Sequence, residues 1–162
     1  MDKKNEYECK LPLRIGVGII LLNQENKVFV GRRIDNPKNF WQMPQGGIDK
    51  NENYIEAAKR ELREETGIKS VKIIKEINGW MEYLLPENLL GKIWRGKYKG
   101  QKQKWFIMKF TGKEDEINIK TEHPEFLDWK WVESSLLPTI VVDFKINIYK
   151  KISEELKLLN LN

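Results

Sequence analysis

Between Gly46 and Ile68 the chain carries a pattern that leaves little freedom of interpretation. It opens Gly-Gly-Ile-Asp-Lys-Asn-Glu and closes Arg60-Glu61-Leu62-Arg63-Glu64-Glu65-Thr66-Gly67-Ile68, with helix-forming residues between. Asn53, followed three residues later by Glu56, has the form of a capping box, and Gly67 supplies a stop. The sequence therefore predicts a helix from just after Asn53 to Thr66. At about 100° per helical residue, Glu64 and Glu65 lie three and four positions beyond Glu61, so three carboxylates share one face within a turn. Ile55, Ala58 and Leu62 fall roughly a quarter turn away and are expected to anchor the helix on a sheet.

Carboxylates crowded in this way raise one another's pKa and weaken the helix unless positive charge sits among them. Two readings satisfy that need. Arg60 and Arg63 can neutralise an ordinary solvated face, or the hard oxygens can form a site suited to Mg²⁺ or Mn²⁺, ions usually held by a few carboxylates together with substrate phosphates.

The rest of the chain supplies a scaffold. Ile15–Leu22 and Lys27–Arg32 read as a hairpin turning at residues 23–26. Pro37, Pro44 and Gly46-Gly47 predict a loop from Asp35 to Asn53, carrying Phe40 and Trp41. Val71–Ile77, Lys104–Phe110 and Trp129–Val132 have strand patterns, and Gly91 to Gln103, rich in glycine and lysine, reads as a basic loop. Val141, Phe144, Ile148, Ile152, Leu156 and Leu159 recur at spacings of three and four, predicting a C-terminal helix over residues 139–159. Strands, a helix, more strands and a last helix indicate a mixed sheet covered by helices, in the α/β or α+β class. The 162 residues suit one domain, 1–162, with residues 1–12 as a flexible N-terminus.

Charge and targeting signals narrow the function. Lysine and arginine number 29 against 24 acidic residues, a net charge of +5 that favours a polyanionic ligand. Cys9, the single cysteine, has no internal disulfide partner. The polar opening lacks the apolar core of a secretory signal, and no run approaches the roughly 18 apolar residues of a membrane span. A cytoplasmic protein without a membrane partner is expected. His123 has no histidine or cysteine at ligand spacing, which argues against zinc.

Gly46, five residues, Glu52, seven residues, then Arg-Glu-Leu-x-Glu-Glu-x-Gly-Ile fixes nine positions within residues 46–68. This resembles the Nudix box, the signature of hydrolases that cleave a nucleoside diphosphate linked to another group. The resemblance implies an α/β/α sandwich on which the box forms a loop-helix-loop. It also implies that Glu61, Glu64 and Glu65 hold a divalent metal beside Gly46, while Glu52 and Arg60 pair beneath the helix to brace the loop.

The flanks narrow the resemblance further. Trp41–Gly47, Gly100–Phe106, Pro124–Phe126, Trp129–Val132 and Val141–Lys145, with Arg14 and Gly31–Arg33, look like the branch whose members remove pyrophosphate from 5′-triphosphate RNA ends or split dinucleoside polyphosphates such as diadenosine tetra- and pentaphosphate. Residues 78–99 follow that branch only loosely. The implied partner is 5′-triphosphorylated RNA, with a dinucleoside polyphosphate as the alternative and no DNA. A module that binds nucleotides without cleaving them is the rival from another class. By the same resemblance Glu125 is a further ligand or the general base, Arg33 grips phosphate in its bidentate fork, and Arg14 and Lys145 meet the 5′ phosphates or the next nucleotide. Phe144 either packs in the apolar stripe or stacks a base, Trp41 has the same two readings, and Gln42, Gln45 and Gln103 form a polar wall.

Overall fold

β1 (Leu13–Leu22) lies at the middle of the sheet because it is buried on both faces from Gly16 onward. A computed structural model describes residues 3, 6–7, 10–35 and 38–159. Along these follow β2 (Val28–Arg33), β3 (Trp41–Gln42), β4 (Gln45–Gly47), α1 (Tyr54–Thr66), β5 (Val71–Glu76), β6 (Met81–Leu84), β7 (Gly100–Phe110), β8 (Phe126–Val132), α2 (Leu137–Ile140) and α3 (Ile146–Leu158). The eight strands form one sheet in the order β3-β2-β1-β7-β5, with β4 paired to β1, β6 to β7 and β8 to β2. β1 and β7 run parallel from Leu13↔Gly100 to Leu22↔Lys109. The remaining pairs are antiparallel.

Strand periodicity divides the interior in two. Val17, Ile19, Leu21, Phe106 and Met108 face α1, where Ala57, Ala58 and Leu62 meet them. Ile20, Leu22, Trp105 and Ile107 face α3, against Ile148, Ile152 and Leu156. The result is the expected mixed sheet with a helix on each face.

α1 has the caps that its sequence promises. The Asn53 side chain accepts from the backbone N–H of Glu56 at 2.8 Å, and Gly67 adopts φ 75° while donating to the Arg63 carbonyl at 2.8 Å. Its inward face differs from the expectation: Ile55 is 37% exposed, and Ala57 lies in the core instead. The buried set Ala57, Ala58, Leu62, Glu65 and Thr66 shows why. Two adjacent alanines bring the backbone close to the sheet, and the helix turns far enough to carry Glu65 inward.

Other boundaries shift for local reasons. The predicted loop from Asp35 to Asn53 contains β3 and β4, too short to show a period, which pair as Gly31↔Gln42 and Gly16↔Gly47. The basic loop ends at Lys99, because Gly100 to Gln103 open β7, where buried Gln101 and Gln103 alternate with partly exposed Lys102 and Lys104. The helix predicted over residues 139–159 is broken. Val141 is extended (φ −92°, ψ 158°), Asp143–Lys145 form a 3-10 turn, and α3 begins at Ile146. Val141 and Phe144 still pack on the α3 core, so the apolar spacing runs through a segment that is not helical. β1, β7 and β8 start earlier than predicted, β2 spans Val28–Arg33 and β5 stops at Glu76. The turn at residues 23–26 is present, with the Asn23 side chain accepting from the N–H groups of Glu25 and Lys27. No helix among the described residues is long and apolar enough to cross a membrane. Cys9, Pro37 and half of the 1–12 segment lie outside the described residues.

Candidate active site

The acidic cluster is placed by two elements at once. β4 hydrogen-bonds to β1, and α1 lies over it, so close that a methyl group on Gly46 would run into the Glu61 carboxyl. Glycine there leaves the Glu61 carboxyl its place.

Each glutamate has a different environment. Glu65 is 6% exposed, and its Oε2 has no hydrogen-bond partner. Burial, reinforced by the charges of Glu61 and Glu125, pushes its pKa well above the ordinary carboxylate range. Glu61 is also raised, chiefly by burial, although it accepts from Arg60 Nη1 at 2.9 Å. Glu64 is more exposed and accepts from the same Nη1 at 3.1 Å. Glu125 lies 3.8 Å from Arg33 Nη2, and its charge reaches Glu65.

Arg60 organises the near side. Its Nε and Nη2 donate to the two carboxylate oxygens of Glu52 at 2.8 and 2.9 Å, and Nη2 also reaches the Gly47 carbonyl at 3.1 Å. The pair expected beneath the helix is therefore present, and it ties the helix to the β4 loop. Glu52 is held below the usual carboxylate range, mainly by that bond.

The expected metal ligands do not form a ready-made cage. Among the described residues, no group of three or more acidic, histidine or cysteine side chains is poised to hold an ion. Glu61 and Glu64 are engaged by Arg60, and Glu125 faces Arg33. The donor set nevertheless fits a divalent cation. Glu65 presents an unpartnered buried oxygen, two further carboxylates raise its pKa, and every donor is a hard oxygen.

The cationic side holds two elements. Arg33 donates bidentately to Asp35, from Nε at 2.7 Å and Nη2 at 2.6 Å. Asp35 is a partner that no sequence signal singled out. Lys145 is 6% exposed, and burial followed by the charge of Arg33 lowers its pKa to about 7. Its Nζ donates to Gln42 Oε1 at 3.3 Å and lies 5.4 Å from the Tyr83 ring.

Phe144 is half-buried, tilted against Tyr83 with ring centroids 5.5 Å apart. Gln103 donates to Gln45 Oε1 at 3.0 Å and accepts from Trp105 Nε1 at 3.2 Å. Tyr83 donates to Gln101 at 2.7 Å, and both belong to this wall although sequence reasoning passed over them. Their signal was the strand alternation of β6 and β7. Trp41 is instead a core residue, 8% exposed, with Lys130 Nζ 4.1 Å above its ring.

Arg14 lies beside Gly47 and 5.4 Å from the Trp94 ring, and its charge partly offsets the rise in the Glu61 pKa. It lines an open cleft of about 680 Å³ that also includes Glu61, Glu52, Ile15, Tyr54 and Tyr98. The structure thus couples Glu61, Glu65, Arg33, Glu125 and Lys145 electrostatically, with Glu64 and Arg14 acting on Glu61, and places Trp41 in the core.

Comparison with known proteins adds an independent line. A NUDIX domain profile matches residues 12–152. The chain is 60% identical over 153 residues to an RNA pyrophosphohydrolase of Pelagibacter ubique, covering 94% of this chain and 97% of that one. It is 48% identical to an RNA pyrophosphohydrolase of Rhodospirillum rubrum, covering 90% and 88%. Among solved structures, an Escherichia coli dihydroneopterin triphosphate pyrophosphohydrolase superposes with a TM-score of 0.69 at 20% identity, covering 90% of this chain and 99% of that one, a likeness of fold.

Proposed function

The chain belongs to the Nudix family, and from that premise we propose that it hydrolyses the 5′-triphosphate end of RNA, releasing pyrophosphate and leaving a 5′-monophosphate that opens transcripts to decay. The observation that carries this reading is the 60% identity, along nearly the whole chain, to a protein named for that activity. The site supports it, because a buried acidic centre flanked by cationic side chains suits a divalent ion and a polyphosphate together.

In the reaction a water oxygen attacks phosphorus, the bond to the bridging oxygen breaks, and pyrophosphate departs while a carboxylate of the cluster takes the water's proton. Glu61 and Glu65 would hold the divalent ion, Mg²⁺ or Mn²⁺, and Glu64 and Glu125 would complete the set. That ion, when bound, lowers the pKa of a coordinated water and offsets phosphate charge. Arg60 and Glu52 keep the helix and the Gly46–Gly47 loop in register, so that Glu61 stays aimed at the centre. Arg33, steadied by Asp35, and Lys145 meet the phosphate oxygens, and an arriving phosphate favours the protonated form of Lys145. Phe144 packs on the α3 core and against buried Tyr83, next to Lys145, which favours the apolar-stripe reading of that ring. A cytoplasmic location fits action on transcript ends.

Purified protein with Mg²⁺ or Mn²⁺, given triphosphorylated RNA and diadenosine tetraphosphate side by side, tests the reading. A higher kcat/KM on RNA with pyrophosphate as product is the expected outcome. Preference for the dinucleotide would reassign the substrate, and no turnover of either would favour a binding module.

A further inference from the structure

Outside the acidic centre, one surface combines exposed aromatic rings with converging positive charge. Trp80, 37% exposed, precedes β6, and both Lys102 Nζ and Lys104 Nζ lie 4.9 Å from its ring. The rings of Trp80 and Tyr54 meet edge to face, centroids 5.4 Å apart, and Tyr54 is also 37% exposed. Lys102 and Lys104 are two residues apart on β7, so their side chains share one face of the strand. Two ammonium groups drawn to one ring repel each other, and a polyanion lying between them relieves that repulsion. Exposed Glu82, opposite Lys102 in the ladder, is the acidic residue nearest them in register and leaves a net positive surface.

This surface is continuous with the site. Ile15, 44% exposed, is the register partner of Lys102. Ile15 and Tyr54 both line the cleft that has Glu61 on another wall. A chain whose 5′ end lies at the glutamates and which leaves along the cleft therefore passes Tyr54 and reaches Trp80.

We propose that Trp80, Lys102 and Lys104, with Tyr54 beside them, form a track for the single-stranded RNA downstream of the 5′ end. An unpaired base stacks on the exposed indole, and the two lysines meet the backbone phosphates. Aromatic faces interleaved with lysines are the pattern by which single strands are held without regard to sequence. RNA is favoured over a protein partner because charge converges where the rings are exposed, whereas a protein-docking patch draws its affinity from apolar area with few charges at its centre. The proposal rests on the RNA reading given above and extends it beyond the terminal nucleotide.

The test compares a 5′-triphosphorylated dinucleotide with the same sequence extended to about 12 nucleotides, a length within the range that a single-strand track covers. Wild-type kcat/KM should rise with length. Trp80→Ala, and separately the double variant Lys102→Gln with Lys104→Gln, should lose roughly fivefold or more on the long substrate, through KM, and nothing on the dinucleotide. Equal losses on both lengths, or none on either, would overturn the proposal, and the surface would then be left to a protein partner. If the wild type releases no pyrophosphate from either length, the functional reading fails by itself. Fluorescence anisotropy with a 3′-labelled single-stranded RNA then decides the track alone. Roughly fivefold weaker binding by the lysine variant sustains it, and unchanged binding removes it.

Discussion

Arg60 grips Glu52 with two bonds, at 2.8 and 2.9 Å, and through its third nitrogen touches Glu61 and Glu64. A single guanidinium thus links the loop before the acidic helix to two of the carboxylates on it. Arg60→Ala should destabilise the protein by about 2 kcal/mol, less than for a fully buried pair because the groups retain some solvent, or on the order of 4–8 °C in Tm. Arg60→Lys, which keeps charge but not the fork, should recover only part of that. Thermal unfolding of the two variants checks both statements.

Gly46→Ala separates geometry from stability. The added methyl meets the Glu61 carboxyl, the far end of a flexible side chain that can swing aside. Tm should change little, while displacement of Glu61 lowers kcat by about 100-fold, the scale associated with ångström errors in catalytic geometry. Activity close to wild type would show that the glycine is not needed.

Glu65 sets a slope of stability against pH. Its folded pKa lies above the ordinary 4.5, so between those values the folded chain keeps a proton that the unfolded chain releases. Stability from this group is present below pH 4.5 and is lost as pH rises through the raised value. Glu65→Gln should flatten that part of the Tm profile, measured in chelator, and should abolish turnover.

Divalent metal should oppose the same slope. An ion bound only by the folded state at 100 times its Kd adds about 2.7 kcal/mol. Mg²⁺ or Mn²⁺ should therefore raise Tm in the wild type and raise it much less in Glu65→Gln or Glu61→Gln. An equal rise in all three proteins would remove these residues from the ligand set.

Lys145 titrates with the opposite consequence. Its pKa falls from 10.5 to about 7, so above neutrality the folded chain has released a proton that the unfolded chain retains. Stability therefore climbs from about pH 7 towards 10.5, and the full burden of burying the ammonium is carried below pH 7. Lys145→Met should raise Tm most at pH 6, with a diminishing gain towards pH 10, while KM for triphosphorylated RNA increases. A gain independent of pH would contradict this account.

The acidic helix was legible because its caps, period and spacing are local properties of consecutive residues, and the Arg60–Glu52 pair followed from the motif. Tertiary placement was less legible. β3 and β4 exist only because β2 and β1 offer them partners, so no pattern within residues 41–47 announces them. β7 was truncated by its polar start, since buried Gln101 and Gln103 are satisfied by Tyr83 and Gln45, groups distant in sequence. Trp41 had two readings, core or base platform, and only its pairing beside β2 and the contact with Lys130 decide for the core. Asp35 carries no signal alone and gains meaning from Arg33.

The parallel pairing of β1 with β7 has a temporal side. During synthesis α1 leaves the ribosome long before the strand that completes the floor beneath it, so its apolar stripe and unbalanced acids wait for a distant segment. Closure of that pairing is non-local and correspondingly slow. A nascent chain halted before Gly100 should present the glutamates without the rigidity that gives them a use, and competence should arrive only once that strand and the later segments bearing Glu125 and Lys145 are in place.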